Sequence, residues 1–468
     1  MPRIAIVGAG IAGLVAALTL QEAGLSCSLY EASDRIGGRI RSDAHTWQSG
    51  AVSEGCGEFI DADHELMHQL IRRFGLTTIS LERGRAPRLI YFFNRYYRED
   101  ELIEPLQAVA ALLQEQLQEI GPVTTYRQYT AAGYRFDHLS AYDWIERFVA
   151  DGHRSPVGRL LDIMCSGYYG LDTSEQSALN LIYMFAPRDL ARGSTSGGPQ
   201  LESCKIRGGN EQLLQAIARS LPEGSIHLQH RLVVIERRNE REVVLTFVTP
   251  SGPVEVRCEH ALLTLPFSTL RQVDYRRAAF SPLKQQAIAE LGYGTVSKLF
   301  LEFDQPYWYQ EGPWPHPHNG FIVTDLELQT LWDVSYGQGV SGGLLLSYRS
   351  GSRGAALVSP TPYATSLDAE AVRQAAASCL QQLEHLLPGI SVHYTGRAAL
   401  SYSTGDPYLL GSYSCWRVGQ YTLFSGYERV REGPIHFAGE HCSVEFQGFM
   451  EGAAREGVRA AQEILEDY

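Results

Sequence analysis

Arg3-Ile4-Ala5-Ile6-Val7 runs directly into Gly8-Ala9-Gly10-Ile11-Ala12-Gly13, and the reading of this stretch decides the fold. The first five residues are a short β-branched strand, and Leu14, Ala17 and Leu18 behind the glycines mark a helix that ends near Gly24. A G-x-G-x-x-G turn between a strand and a helix is a dinucleotide cradle. Gly8 permits the tight turn, Gly10 lets the backbone approach a pyrophosphate, and Gly13 lets helix and strand pack closely. The helix N-terminus meanwhile turns unpaired N–H groups toward the phosphates. A second strand, Ser26 to Tyr30, ends in Glu31, 21 residues beyond Gly10, where a carboxylate accepts hydrogen bonds from a ribose diol. NAD and FAD both satisfy these features. The following turn, Asp34-Arg35-Ile36-Gly37-Gly38-Arg39-Ile40-Arg41, adds glycines and guanidiniums where a second phosphate contact can form, which favours FAD.

At 468 residues the chain exceeds what one hydrophobic core usually supports, so two intertwined domains are expected. A formal charge of -13 argues against a nucleic-acid partner, which needs clustered Lys and Arg. No run of 18 or more apolar residues is present, so no membrane span is expected. The strand begins straight after Met1-Pro2-Arg3 and leaves no room for a signal peptide, so a cytoplasmic address is expected. The eight cysteines are scattered without a C-x-x-C pair, which points to reduced, buried thiols rather than a zinc clip or a disulfide framework.

The Gly37-Gly38-Arg39 turn behind the fingerprint resembles the flavin-containing amine oxidases, the group of monoamine, polyamine and L-amino-acid oxidases. Four further stretches match in family order: Glu54-Gly55-Cys56-Gly57-Glu58-Phe59-Ile60, Lys205-Ile206-Arg207-Gly208-Gly209-Asn210, Ala261-Leu262-Leu263-Thr264-Leu265-Pro266, and Phe437-Ala438-Gly439-Glu440-His441 running on to Gly448-Phe449-Met450-Glu451-Gly452-Ala453. The resemblance implies an α/β fold: a Rossmann-like FAD-binding domain of the GR2 flavoprotein type, assembled from 1–62, 205–270 and 425–468. An interleaved α+β substrate-binding domain would occupy 63–204 and 271–424. Residues 64–120 and 140–185 carry helical periodicity, while Val243–Val248, Val254–Cys258 and Ala261–Leu265 read as strands, with the turn Pro250-Ser251-Gly252-Pro253 after the first. The cofactor set expected from this resemblance adds Ala12, Ala32, Gly57, Phe59 and Leu232 to the residues named above. At the closing segment, Gly439, Glu440 and Gly448 precede a long helix, and the amide of Met450 is expected to face the flavin O2.

Amine oxidation moves hydride from the α-carbon to flavin N5, so orientation and a dry pocket matter more than a strong base. By resemblance, Tyr413 and Phe449 sandwich the amine between two aromatic faces. Lys298, within an apolar strand pattern, matches the lysine that holds a water against N5, and a buried ammonium there needs a partner. Glu58 is read either as holding a distal ammonium of a diamine or polyamine, or as a positioning residue that turns away. At Phe59 this chain departs from venom-type L-amino-acid oxidases, which carry an Arg for the substrate carboxylate near this point. At Ser412 it departs from monoamine oxidases, whose linking Cys precedes the matching tyrosine, so FAD is expected to be non-covalent, with Cys415 too far along the strand to substitute.

These readings combine into an oxidase that takes a small-molecule amine and O2, gives an imine and then a carbonyl product, and releases H2O2. A cationic amine or polyamine ranks ahead of a basic L-amino acid, and a dehydrogenase or desaturase passing electrons to a quinone is the remaining enzyme reading. A homodimer is the assembly considered. No metal site is expected: His64 and His68, four apart on a helix, read as a solvated helix face. The segments Trp308–Gly320 and Arg188–Gln200 read as rims of the substrate entrance.

Overall fold

The structure is a computed structural model and describes residues 4–82, 86–186 and 203–468. A five-stranded, all-parallel sheet carries the fingerprint, in the order Ile435–Phe437, His260–Leu263, Ile4–Val7, Cys27–Tyr30 and Ile226–His227. Its strands come from three stretches far apart in sequence. The helix Ile11–Glu22 is buried on nearly every side, and Ile11, Leu14, Val15 and Leu18 share one core with Ala453, Ala454, Ala461 and Ile464 of the C-terminal helix Met450–Leu465. The last helix therefore closes over the first. A four-stranded sheet, Gly252–Cys258, Glu242–Thr249, Arg231–Asn239 and Asp274–Arg277, lies beside this unit, with Phe247, Leu245 and Ile235 in the same core as Ala5 and Val7.

The second unit is built on an eight-stranded mixed sheet. Its order is Tyr363–Thr365, Tyr394–Tyr402, Ser297–Phe303, Gly343–Arg349, Thr330–Asp333, Phe321–Thr324, Leu89–Phe92 and Arg95–Tyr97, antiparallel except where 321–324 meets 89–92. Alternation along Ser297–Phe303 sends Leu299, Leu301 and Phe303 to a core under the helix Glu370–Leu386. Phe300 packs on the other face with Trp47, Trp332, Leu344 and Leu346, and Lys298 shares that face. The helices 99–120, 141–148, 156–169 and 178–185 pack together in one core through residues such as Leu113, Trp144, Leu160 and Leu181. The first buries Leu102, Leu106, Val109 and Leu113 at alternating spacings of four and three, and the second and third are N-capped by the Ser140 and Ser155 hydroxyls.

This is the α/β architecture expected of the sequence, with one correction among its elements. The helical reading of 64–120 holds for Glu65–Arg73 and Glu99–Ile120, but strands occupy Thr78–Ser80, Leu89–Phe92 and Arg95–Tyr97 between them. Leu89–Phe92 is buried on both faces as an interior strand, so it shows an unbroken apolar run with no period of two to reveal it. No described helix is long and apolar enough to cross a membrane.

Candidate active site

One cavity of about 1830 Å³ runs between the two units. That is more than a single small ligand needs and fits a dinucleotide together with a substrate. Gly8, Gly10, Ala12, Glu31, Ala32, Gly38 and Leu232 line one end. A side chain at Gly10 would meet nothing within 4 Å, so the space beside this turn is open where a pyrophosphate would lie. Gly13 does not reach the cavity: a Cβ there would overlap the Gly8 carbonyl oxygen, so its part is the close approach of helix and strand. Gly8 itself has φ +108°, a conformation that disfavours any side chain. The Glu31 carboxylate is buried and fixed by the Ala9 N–H (2.8 Å) and by the N–H and hydroxyl of Ser33 (both 2.9 Å), with lone pairs left toward the cavity. This donor and acceptor set fits the nucleotide half of FAD.

The guanidiniums of Arg35 and Arg39, on either side of Gly37-Gly38, are both committed within the protein. Arg35 folds back on the carbonyls of Ile36, Gly38 and Ile40 and so holds the turn shut. Arg39 pairs with Glu440 at 2.6 Å and donates to the Ser412 carbonyl. Glu440 also accepts from the N–H and hydroxyl of Ser414 and from the Gly448 N–H. Burial alone would raise the Glu440 carboxyl, but the Arg39 guanidinium and the Ser414 hydroxyl hold it below its ordinary value. One carboxylate thus joins the 39, 412–414 and 448 segments around the middle of the cavity. Beyond it the helix Met450–Leu465 begins, with Gly448, Phe449 and Met450 on the cavity wall and Gly57 packed against Met450. The first N–H groups of that helix have no intrahelical partner and suit an electron-rich acceptor.

At the far end Lys298 is buried, and its ammonium donates to the carbonyls of Glu54 (3.0 Å) and Cys56 (2.8 Å) and to the Glu58 carboxylate (3.0 Å). An ammonium has three donors, and all three are engaged. Glu58 lies between Lys298 and Lys205, the latter at 3.7 Å, and accepts from the Trp332 indole at 3.4 Å. Burial alone would raise its carboxyl, but the two ammoniums hold it below its ordinary value. The neighbouring Glu54 is pushed up to about 8 by burial, against the Asn210 N–H and the Ser42 hydroxyl.

Tyr413 and Phe449 both face the cavity. The Tyr413 hydroxyl donates to the Gly167 carbonyl (2.6 Å) and lies 2.7 Å from the Tyr348 hydroxyl, which fixes the ring plane. From Tyr348 an aromatic wall continues through Trp332 (centroids 5.2 Å apart) to Phe59 (5.5 Å) and Phe321 (6.1 Å, stacked). Sequence reasoning missed Tyr348, Trp332 and Phe321, because they lie on separate strands and their convergence is a product of sheet register alone. Ser412 lines the cavity, whereas Cys415 does not: it is fully buried and accepts from Asn180.

Two readings are corrected. His64 is not on a solvated face: it is buried on the cavity wall, its Nδ1 accepts from the Asp61 N–H, and its ring meets Phe446 and Phe449 edge-on. Burial pushes its imidazole down to about 4. Trp308–Gly320 is not an entrance rim: Trp308 and Trp314 are packed into the core beneath the eight-stranded sheet, and no residue of the segment lines the cavity. Arg188–Gln200 lies outside the described residues. The eight cysteines are all described and all free.

The family model for flavin containing amine oxidoreductases matches residues 11–465. An L-amino-acid oxidase from Gloydius halys is 23% identical over 481 residues, covering 99% of this chain and 88% of that protein. Among solved structures, a wild-type putrescine oxidase bound to putrescine aligns with TM-score 0.81 at 21% identity over 99% of both chains. The cyclohexylamine oxidase of Brevibacterium oxydans IH-35A aligns with TM-score 0.83 at 21% identity over 100% of this chain and 99% of its own. Both show the same fold.

Proposed function

Because the chain belongs to the flavin-containing amine oxidoreductase family, an oxidoreductase acting on amines, we propose that it is an oxidase binding FAD without a covalent bond. A neutral amine gives up hydride from its α-carbon, the resulting imine hydrolyses to a carbonyl compound, and O2 leaves as hydrogen peroxide. The observation that carries this reading is the single cavity with the dinucleotide cradle at one end and Lys298, Tyr413 and Phe449 at the other. Bound FAD supplies the hydride acceptor. Gly8, Gly10, Glu31 and Leu232 would hold its nucleotide half, and the Met450 end of the last helix would face its ring. The residues 1–62, 205–270 and 425–468 are read as the cofactor domain, extended past 270 because Asp274–Arg277 pairs with Arg231–Asn239.

The chain's own part in the reaction is orientation and exclusion of water. Tyr413 and Phe449 offer ring faces between which an amine is held. Neither side chain is a base, so the amine must arrive deprotonated, and turnover rises toward alkaline pH. The Lys298 ammonium supplies fixed positive charge at the wall and favours oxygen over a quinone as acceptor.

A distal ammonium on Glu58 loses its support here, because two protein ammoniums already face that carboxylate. The wall of Tyr348, Trp332, Phe59 and Phe321 suits an amine whose far end is apolar or aromatic. Its likeness to proteins named L-amino-acid oxidases keeps an L-amino acid as the second reading. Peroxide release from benzylamine, 1,4-diaminobutane, L-phenylalanine and L-lysine separates these. Benzylamine ahead of the diamine is expected; 1,4-diaminobutane as the best substrate would restore Glu58 as an ammonium site, and L-phenylalanine as the best would establish the second reading.

A further inference from the structure

Lys298 and Glu58 both line the cavity, yet they are not equivalent in how they are held. Glu58 is gripped from behind, by the Lys205 ammonium at 3.7 Å from one carboxylate oxygen and by the Trp332 indole N–H at 3.4 Å from the same oxygen. Lys205 is itself anchored on the Val334 carbonyl at 2.7 Å. The other carboxylate oxygen meets Lys298 at 3.0 Å. Two backbone carbonyls, of Glu54 and Cys56, take the remaining donors of that ammonium. Apart from the half-buried Cys56 these residues are buried, so the arrangement is held in a low dielectric where an unpaired charge is costly.

We propose that Glu58 is a positioning residue: clamped by Lys205 and Trp332, it fixes the Lys298 ammonium on the cavity wall and takes no part in binding the substrate. The inference rests on the reading that Lys298 faces the bound flavin. Three acceptors on three donors leave the ammonium one orientation, and the two carbonyls alone would leave it free to swing and unpaired. Glu58 therefore acts on the reaction through Lys298, and its removal is felt only while Lys298 is present. Lys205 supports the same arrangement from outside the cavity.

The test is a double-mutant cycle in the holoenzyme with Glu58→Gln, Lys298→Met and the pair. Reoxidation of the amine-reduced enzyme by O2 is read in stopped flow, and the melting temperature of the oxidised holoenzyme is read separately. Each single substitution should slow reoxidation about tenfold or more, and the double should be no slower than Lys298→Met within about twofold. The double should also melt no lower than Glu58→Gln, since removing Lys298 relieves the ammonium left without its carboxylate. The KM ratio of 1,4-diaminobutane to benzylamine should stay within about twofold of the parent in Glu58→Gln, and Glu58→Asp should recover part of the rate. Lys205→Met, which leaves the cavity wall untouched, should slow reoxidation in the same direction and serves if Glu58→Gln fails to fold. Multiplying effects in the double, or a loss confined to KM for the diamine, overturns the proposal. If Lys298→Met leaves reoxidation unchanged, the placement of Lys298 at the flavin falls first and the role of Glu58 with it.

Discussion

The residue proposed to meet the ribose of a nucleotide is itself held by the protein. Glu31 accepts from Ala9 and Ser33 before any ligand is considered, so its carboxylate is aimed in advance and need not be ordered on binding. Glu31→Ala removes a carboxylate acceptor from the proposed ribose site and leaves the Ala9 N–H unpaired, a loss of about 1.5–3 kcal/mol. FAD retention should weaken by about 10- to 150-fold, read as the dissociation constant from flavin fluorescence on dilution; retention equal to the parent would remove Glu31 from the site. The fingerprint was legible in the sequence because its logic is local, a turn and the ends of two adjacent strands. The Glu58 cluster was not, since Lys205 and Lys298 reach Glu58 only through folding of two separate sheets, and a lone Glu in a string reads as free to bind a cation.

Between elements, the close approach of the first strand and helix separates packing from capping. Gly13→Ala drives a methyl into the Gly8 carbonyl and must displace the turn, at a cost of about 1–3 kcal/mol with loss of flavin. Ser155→Ala removes only the hydroxyl that caps Pro156–Tyr169, far along the chain, and should cost about 1 kcal/mol while flavin stays bound. Urea unfolding with flavin absorbance followed in parallel checks both; equal flavin loss in the two variants would contradict the division of roles. Helices with a polar face, such as Ala141–Phe148, announce themselves by period, whereas Leu89–Phe92 does not, because burial on both faces erases alternation. Trp308–Gly320 misled for a similar reason: proline and glycine mark a loop, but they do not say that its tryptophans face the core.

Across the whole molecule, the segments are joined by buried ionisable groups, and these set how stability responds to pH. Glu428 is fully buried beside Lys284, and burial pushes its carboxyl up to about 8. Its folded value lies above the unfolded one of about 4.3, so the folded state binds the extra proton between those values and stability falls as pH rises from about 4.3 to 8. Glu428→Gln copies the protonated form. Its melting temperature should match the parent near pH 4 and exceed it by a growing margin as pH rises to 8.5; parallel profiles for the two proteins would contradict the shift.

The cavity is proposed to present an amine to a flavin, and the most direct measurement of this is optical. Holoenzyme is mixed with benzylamine in the absence of oxygen while the visible flavin band is followed, and air is then readmitted with a peroxide assay running. The account predicts that the band bleaches within the time of a few turnovers and that its return releases one peroxide per flavin. A band unchanged by benzylamine, diamines and L-amino acids alike would contradict it.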